Sequence, residues 1–172
     1  MKSKLVLTGF MATGKSAVGR RVAAILGREF IDTDHLIVAR TGKPIAEIFS
    51  EQGEARFRAL ERQVIEELAD RPSPAVISTG GGSLVDDHNY ETLAKVATIV
   101  CLTARPAVIA RRVGGSSNLR PKLAEAQLPL EEAIVELMAR RAAAYSRIGL
   151  TIDTSDLTID EVADAVLTAI EA

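Results

Sequence analysis

The segment from Gly9 to Ser16, GFMATGKS, carries the residue types that bind a polyphosphate. It matches GxxxxGK[ST] between a strand-like and a helix-like segment, the context in which such loops occur. Backbone N–H groups of such a loop surround phosphate oxygens, assisted by the positive end of the helix dipole. Lys15 supplies a charge to the β- and γ-phosphates, and the Ser16 hydroxyl can ligate Mg²⁺. The alternative to a nucleotide-binding loop is an ordinary turn between a strand and a helix. The predicted nucleotide-binding residues of the loop are Met11, Ala12, Thr13, Gly14, Lys15, Ser16 and Ala17.

Two carboxylates, Asp32 and Asp34, follow the second predicted strand and are the candidate acids of the site. Many proteins with this loop hold Mg²⁺ with an Asp at the end of a later strand, but Ala75–Ile77 has no acid after it. On an extended segment, side chains at i and i+2 point the same way, here toward the ligand crevice of a parallel sheet. Asp32 could then approach Mg²⁺ through water, and Asp34 could approach an acceptor hydroxyl. A helix N-cap at Thr33 or Asp34, with Asp32 in the turn, is the alternative, and both can hold together.

The elements that must position these residues alternate between apolar strands and helices. The predicted strands are Lys4–Thr8, Phe30–Ile31, Ala75–Ser78, Val96–Leu102 and Leu150–Ile152. Predicted helices run from Lys15 to a stop at Gly27, over His35–Arg40 and Glu54–Ala69, from Leu130 past Met138, and after a Thr158–Glu161 capping box. Strands that are apolar throughout and alternate with helices predict an α/β protein with a parallel sheet covered on both faces.

Composition narrows the possible partners. A chain of 172 residues is long enough for one domain and too short for two ordinary ones, so residues 1–172 are predicted to form a single domain. A net charge of −2 and only four Phe and two Tyr, with no Trp, argue against a nucleic-acid partner. The longest apolar run is too short for a membrane span, and the single cysteine, Cys101, fits a reducing compartment. We therefore expect a cytoplasmic protein without nucleic-acid or membrane partners.

Two further motifs, Gly53-Glu54-x-x-Phe57-Arg58-x-x-Glu61 and Gly80-Gly81-Gly82, accompany the phosphate loop and the Asp32-x-Asp34 pair. Their order and spacing, from about residue 5 to residue 150, resemble the shikimate kinase family. The resemblance implies a nucleoside-monophosphate-kinase-like fold, a three-layer sandwich whose five-stranded parallel sheet has the order 2-3-1-4-5. It also implies a monomer that uses ATP and Mg²⁺ to phosphorylate the 3-hydroxyl of shikimate, giving shikimate 3-phosphate and ADP on the route to chorismate and the aromatic amino acids.

The resemblance also assigns substrate-binding roles residue by residue. Asp34 would bind shikimate hydroxyls and act as, or assist, the general base, and Arg58 would bind the carboxylate. Glu61, one helical turn further, could hold the Arg58 guanidinium, although a solvated surface pair is the commoner outcome at this spacing. The glycines Gly80, Gly81 and Gly82 would bring N–H donors close to the substrate, whereas the bare pattern fits a flexible turn equally well.

A lid is implied over about residues 112–126. The polar segment Gly114–Asn118 leads into Leu119-Arg120-Pro121-Lys122-Leu123, and Arg120 would neutralise charge on the transferring phosphoryl group. Arg120 is therefore expected to be catalytic together with Lys15 and Asp34, and to bind nucleotide. Arg112 matches an arginine that stacks on or flanks adenine. Lys122 departs from the family's usual leucine, and it either points to solvent or adds a cation near the nucleotide.

Arg141 lies on the inward stripe of a predicted helix and matches a second carboxylate-binding arginine. The family pattern is Arg-x-Pro-Leu-Tyr, but this chain reads Arg141-Ala142-Ala143-Ala144-Tyr145, so the helix can continue without the proline. An arginine on an apolar stripe requires an anion or a position at the helix end. Arg140 could take the substrate role if the helix were rotated.

Two other functions remain open from the sequence. One is a kinase for another small molecule on the same scaffold, such as gluconate or a nucleoside monophosphate. The Gly80–Gly82 run and the Phe57-Arg58 motif favour shikimate over both. The other is a nucleotide-binding regulatory protein without catalysis, which the departures at Ala12-Thr13, Lys122 and Ala143-Ala144 leave open. The joint presence of the five residues expected to act argues against it: Lys15, Ser16, Asp34, Arg58 and Arg120.

Overall fold

A five-stranded parallel sheet forms the centre of the molecule. The structure is a computed structural model, and it describes residues 3–114 and 128–171. All four neighbouring strand pairs are parallel, and the strand order is β2-β3-β1-β4-β5. The order and direction confirm the predicted fold class. The strands are β1 (Lys4–Gly9), β2 (Glu29–Asp32), β3 (Ala75–Ser78), β4 (Ala97–Thr103) and β5 (Leu150–Asp153).

Helices cover both faces of the sheet and bury its apolar side chains. The described helices are α1 (Lys15–Leu26), α2 (Thr33–Thr41), α3 (Ile45–Asp70), α4 (Asp87–Val96), α5 (Pro106–Gly114), α6 (Leu130–Ser146) and α7 (Ile159–Glu171), with a 3₁₀ turn at Ser83–Val85. On one face α1 and α7 pack together over residues such as Leu5, Leu7 and Val100. On the other face α3 and α4 cover Val6 and Ile77.

Several helix boundaries differ from the sequence prediction. Helix α3 begins at Ile45 rather than Glu54, and Gly53, at φ 80°, marks a kink that joins two helical segments. The pattern stopped at this glycine because its left-handed backbone interrupts the helical period.

Helices α4 and α5 were not predicted. In α4 only Asn89 and Leu93 are buried, which is too short an apolar stripe to show a period of 3.6 residues.

The end of β1 requires a glycine before the loop can turn. Gly9 has a φ of 129°, and a Cβ at this position would lie 2.0 Å from the carbonyl oxygen of Leu102 on β4. No other residue fits this close approach. The next residues therefore leave the sheet edge at a fixed point and connect to α1, which places the GFMATGKS loop at the carboxyl ends of the strands.

Candidate active site

The phosphate loop lies between β1 and α1 and opens onto a cavity. Lys15 is buried, and its Nζ donates a hydrogen bond of 2.7 Å to the carbonyl oxygen of Phe10. The Thr13 hydroxyl donates to the same oxygen at 2.8 Å. The cavity brings most of the predicted nucleotide residues and both acids together, lined by Ala12, Gly14, Lys15, Ser16, Ala17, Asp32, Asp34, Ser78 and Thr79.

Asp32 caps α2 and contacts the loop at the same time. Its Oδ1 accepts hydrogen bonds from the N–H groups of Asp34 and His35, and its Oδ2 accepts one of 2.5 Å from the Ser16 hydroxyl. The expected cap at Thr33 or Asp34 is wrong, because α2 begins at Thr33 and makes Asp32 the N-cap. The extended path through Asp34 is wrong for the same reason. Both carboxylates nevertheless line one cavity.

A second cavity adjoins the first and contains the predicted substrate residues. Asp34, which is largely buried, lines both cavities. Met11 lines the second cavity instead of the first, so it lies beside the candidate substrate site as well as in the loop. The second cavity is lined by Met11, Asp34, Ile45, Phe49, Phe57, Arg58, Glu61, Gly80, Gly81, Gly82 and Arg141.

Arg58 is held at this cavity by a buried carboxylate. Its Nη1 lies 2.7 Å from Glu61 Oε2, and the Glu61 side chain is only 1% exposed. Glu61 also accepts a hydrogen bond from the Ser83 hydroxyl. Burial raises the pKa of Glu61, although Arg58 and Ser83 oppose that rise. Burial works to lower the pKa of Arg58, but Glu61 and Glu54 outweigh it and keep the guanidinium charged. The pair is therefore not the solvated surface contact that its spacing also allowed.

Two side chains lie so close to the glycine run that they would have to move to admit a Cβ. A Cβ on Gly80 would lie 2.8 Å from Asp34 Oδ1, and one on Gly82 would lie 2.8 Å from Arg58 Nη2. The Gly80 N–H donates a hydrogen bond to Thr33. The run therefore lets the acid and the arginine approach the backbone closely, and its role as an N–H donor to substrate stays a prediction.

Arg141 faces the second cavity from α6, and Arg140 does not. Arg141 is buried, with its guanidinium carbon 5.4 Å from the centre of the Phe10 ring. Arg140 is exposed and pairs with Glu136 one turn earlier in α6. The helix continues through the alanines to Ser146, as expected without the proline.

Tyr145, one turn beyond Arg141, is a site residue that the sequence analysis missed. Its hydroxyl donates a hydrogen bond to the carbonyl oxygen of Gly81. A Cβ on Gly81 would lie 3.2 Å from Arg141 Nη1. The spacing of the two residues on one helix face was the available signal, but nothing in the sequence indicated the partner.

The remaining predicted residues lie on α5 or outside the described residues. Arg112, near the end of α5, contacts the phosphate loop through the carbonyl oxygen of Ala12 at 3.1 Å. Arg120, Lys122 and most of the predicted lid lie outside the described residues. Their roles stay predictions.

Within residues 3–114 and 128–171, no group of three or more His, Cys, Asp or Glu side chains is placed to hold a metal ion. The oxygen donors beside the phosphate loop are the Ser16 hydroxyl, the Asp32 carboxylate and the Ser78 hydroxyl, 3.5 Å from that of Ser16. None of the helices described has the length and apolar character to cross a membrane.

Comparison with known proteins identifies the family. A shikimate kinase of Caldanaerobacter subterraneus is 44% identical over 165 residues, which are 96% of this chain and 94% of the relative. The solved shikimate kinase of Acinetobacter baumannii, in complex with shikimate, is 34% identical with a TM-score of 0.90, covering 97% and 92% of the two chains. A gluconokinase of Sinorhizobium meliloti, at 17% identity, a TM-score of 0.58 and 98% and 91% coverage, shares the fold alone. Since the family model for shikimate kinase also matches residues 11–171, the chain belongs to the shikimate kinase family.

Proposed function

We propose that this chain transfers the γ-phosphoryl group of ATP to the 3-hydroxyl of shikimate, giving shikimate 3-phosphate and ADP. The observation that carries the proposal is the position of Asp34, which lines both the phosphate-loop cavity and the adjoining cavity. An acceptor hydroxyl bound at this carboxylate stands between a ring-sized pocket and a polyphosphate pocket. Phosphoryl transfer depends mainly on such positioning.

Two arginines supply the recognition of the substrate carboxylate. Arg58 and Arg141 reach the second cavity from α3 and α6, so they approach a ligand from different elements. A guanidinium presents N–H donors in a planar fork that matches a carboxylate. Glu61 fixes the Arg58 fork from behind and leaves its Nη2 beside Gly82. The N–H groups of Gly81 and Gly82, together with Asp34, then bind the ring hydroxyls.

The transfer itself uses the loop cation and the shared acid. Asp34 accepts the proton of the 3-hydroxyl while the hydroxyl oxygen forms a bond to the γ-phosphorus. The bond between that phosphorus and the oxygen that bridges it to the β-phosphorus breaks, which releases ADP. Lys15 lies beside the phosphates in the first cavity and stabilises the charge that moves onto the leaving oxygen. Arg120, carried by the lid, adds a second cation on the transferring group. Arg112 flanks the nucleotide at the base of the lid.

The residues beside the loop fit Mg²⁺. Hard oxygen donors are the ligands that this ion prefers, and it commonly keeps several waters and is held by few protein groups plus substrate phosphates. Ser16 would bind the ion directly and Asp32 through water, since the Asp32 carboxylate accepts from the Ser16 hydroxyl. When bound, Mg²⁺ offsets the negative charge of the triphosphate.

On the same grounds we propose a monomer that works in the cytoplasm on ATP and shikimate, without nucleic-acid or membrane partners. The chain forms one domain over residues 1–172, and its lid spans about residues 112–126. Support comes from membership of the shikimate kinase family.

The test is a substrate panel with the purified chain. ADP release, followed by a coupled enzyme assay with ATP and Mg²⁺, is expected with shikimate and not with gluconate or a nucleoside monophosphate. Phosphorus NMR of the product is expected to show one new phosphomonoester. Faster ADP release with gluconate would assign the chain to the other small-molecule kinases. Binding of ATP without turnover of any acceptor would support the regulatory alternative and refute the proposal.

A further inference from the structure

We propose that Arg112 and Thr154 are positioning residues that hold the phosphate loop in the conformation that binds polyphosphate. Arg112 lies on α5 and Thr154 directly follows β5, so both approach the loop from the far half of the chain. This inference rests on the proposed nucleotide site and deepens it. It gives Arg112 an action on the loop backbone, separate from any contact with the base.

Arg112 binds the loop and Thr154 with a single guanidinium. Its Nη1 donates to the carbonyl oxygen of Ala12 and to the Thr154 hydroxyl, both at 3.1 Å. Its Nη2 donates to the carbonyl oxygen of Thr154 at 2.8 Å. Three bonds from a planar group fix both its position and its orientation. The carbonyl of Ala12 is thereby tied to the end of β5.

Thr154 ties down the next carbonyl of the loop. Its side chain is almost fully buried, and its hydroxyl lies 3.1 Å from the carbonyl oxygen of Thr13 and 3.0 Å from that of Thr103. The Thr103 oxygen already accepts the Thr154 N–H at 2.8 Å. A hydroxyl has one proton to donate, and this one also accepts from Arg112. That proton lies within hydrogen-bond distance of the carbonyl oxygens of Thr13 and Thr103, and in the orientation toward Thr13 it binds the loop.

Holding these two carbonyls sets the direction of two N–H groups. In a trans peptide the carbonyl of one residue and the N–H of the next point in opposite directions, and no peptide bond described here is cis. With the carbonyls of Ala12 and Thr13 bound behind the loop, the N–H groups of Thr13 and Gly14 turn toward its other side. Gly14 lines the cavity on that side together with Lys15. These N–H groups are what a phosphate oxygen would bind.

The backbone of Ala12 explains why the loop needs this support. Ala12 has a φ of 58° and is the one described non-glycine residue in the left-handed region. A side chain with a Cβ disfavours this region, so such a residue keeps it only where the surrounding structure holds it. The bond from Arg112 to the Ala12 carbonyl supplies that restraint.

The test compares ligands with and without a nucleoside. Calorimetric titration of the intact chain measures the Kd of ATP, of inorganic tripolyphosphate and of shikimate for Arg112→Met, Thr154→Val and Thr154→Ser. Arg111→Met is the matched control, because Arg111 is the adjacent, exposed arginine of the same helix. A clamp on the loop must affect both phosphate ligands, whereas a contact with adenine affects ATP alone.

We expect Arg112→Met to raise the Kd of tripolyphosphate about tenfold, which is about 1.4 kcal/mol, and the Kd of ATP by at least that factor. Thr154→Val is expected to raise both about threefold or more, because the hydroxyl loses its bond to the loop carbonyl and its bond from Arg112. Thr154→Ser and Arg111→Met are expected to match the unaltered chain, and an unchanged Kd for shikimate shows that each variant is folded.

Two results would overturn the inference. One is a loss of ATP affinity in Arg112→Met with tripolyphosphate unaffected, and the other is Thr154→Val binding ATP as the unaltered chain does. Failure of the unaltered chain to bind ATP at all would instead refute the nucleotide site, and with it this role.

Discussion

Replacing Tyr145 with phenylalanine tests whether α6 holds the glycine run in place. The Tyr145 hydroxyl donates to the carbonyl oxygen of Gly81, and Gly81 in turn lies against Arg141 and the loop backbone at Gly9 and Met11. Phenylalanine keeps the ring, which packs against two of the apolar clusters, and removes only the hydroxyl. The change therefore isolates one hydrogen bond to the wall of the substrate cavity.

The size of the effect follows from the bond that is lost. Removing one partner and leaving a half-buried carbonyl without its donor costs about 1.5 kcal/mol. For a chain of this length that loss lowers the Tm by about 3–6 °C. Without the Tyr145 hydroxyl, binding of shikimate must itself order Gly81. The KM for shikimate is therefore expected to rise by up to about tenfold, since 1.4 kcal/mol corresponds to a factor of ten. The KM for ATP is expected to change by no more than about twofold.

Calorimetric unfolding and steady-state kinetics measure both effects. Tyr90→Phe is the control, because Tyr90 is the other tyrosine of the chain and lies on α4 outside both cavities. The chain has no tryptophan, so fluorescence of the Tyr90→Phe variant comes from Tyr145 and is expected to respond to shikimate. An unchanged Tm and an unchanged KM for shikimate in Tyr145→Phe would refute the reasoning.

Two further substitutions test the site, and the reaction of a buried cysteine with a disulfide reagent tests the interior. Asp34→Asn should keep ATP affinity in calorimetry and lose nearly all turnover in the coupled assay, because the amide cannot accept the hydroxyl proton; full turnover would remove Asp34 from the chemistry. Arg58→Ala should raise the KM for shikimate about 30-fold or more, the cost of a charged hydrogen bond, and far more than that for ATP. Equal weakening would contradict a carboxylate role. Burial raises the pKa of the Cys101 thiol to about 11, although Lys15 opposes the rise. At pH 8 only about one thiol in a thousand is ionised, so a disulfide reagent should react only after denaturation; rapid reaction of the folded chain would show an exposed thiolate.

The parts of the site that sequence alone predicted are those encoded by neighbouring residues. The phosphate loop is such a case, because its glycines, lysine and serine all lie within Gly9–Ser16 and the flanking segments show their own apolar patterns. The sheet order came from the resemblance, whereas the parallel class followed from the strands themselves. The inward position of Arg141 was predicted as well, because an arginine on an apolar stripe must reach a polar group, whereas its binding of a carboxylate stays a prediction.

The parts that sequence could not predict are contacts between distant residues. Arg112 and Ala12 lie 100 positions apart, and Tyr145 and Gly81 lie 64 apart. A single chain gives no signal for such pairs, since each residue also fits a local role. Asp32 both caps α2 and accepts a hydrogen bond from Ser16, and this combination was missed for a related reason. Its cap is local, but its bond to Ser16 depends on how β2 lies relative to the loop.

The shared acid between the two cavities has a consequence for ligand design. Since Asp34 borders both, a ring-acid mimic and a polyphosphate mimic occupying them would be separated by little more than one side chain. Joining the two by a short, stiff linker would turn the second encounter into an intramolecular one and raise affinity without any new contact. A long flexible linker would lose that advantage, because the two mimics at its ends would rarely occupy both cavities at the same time.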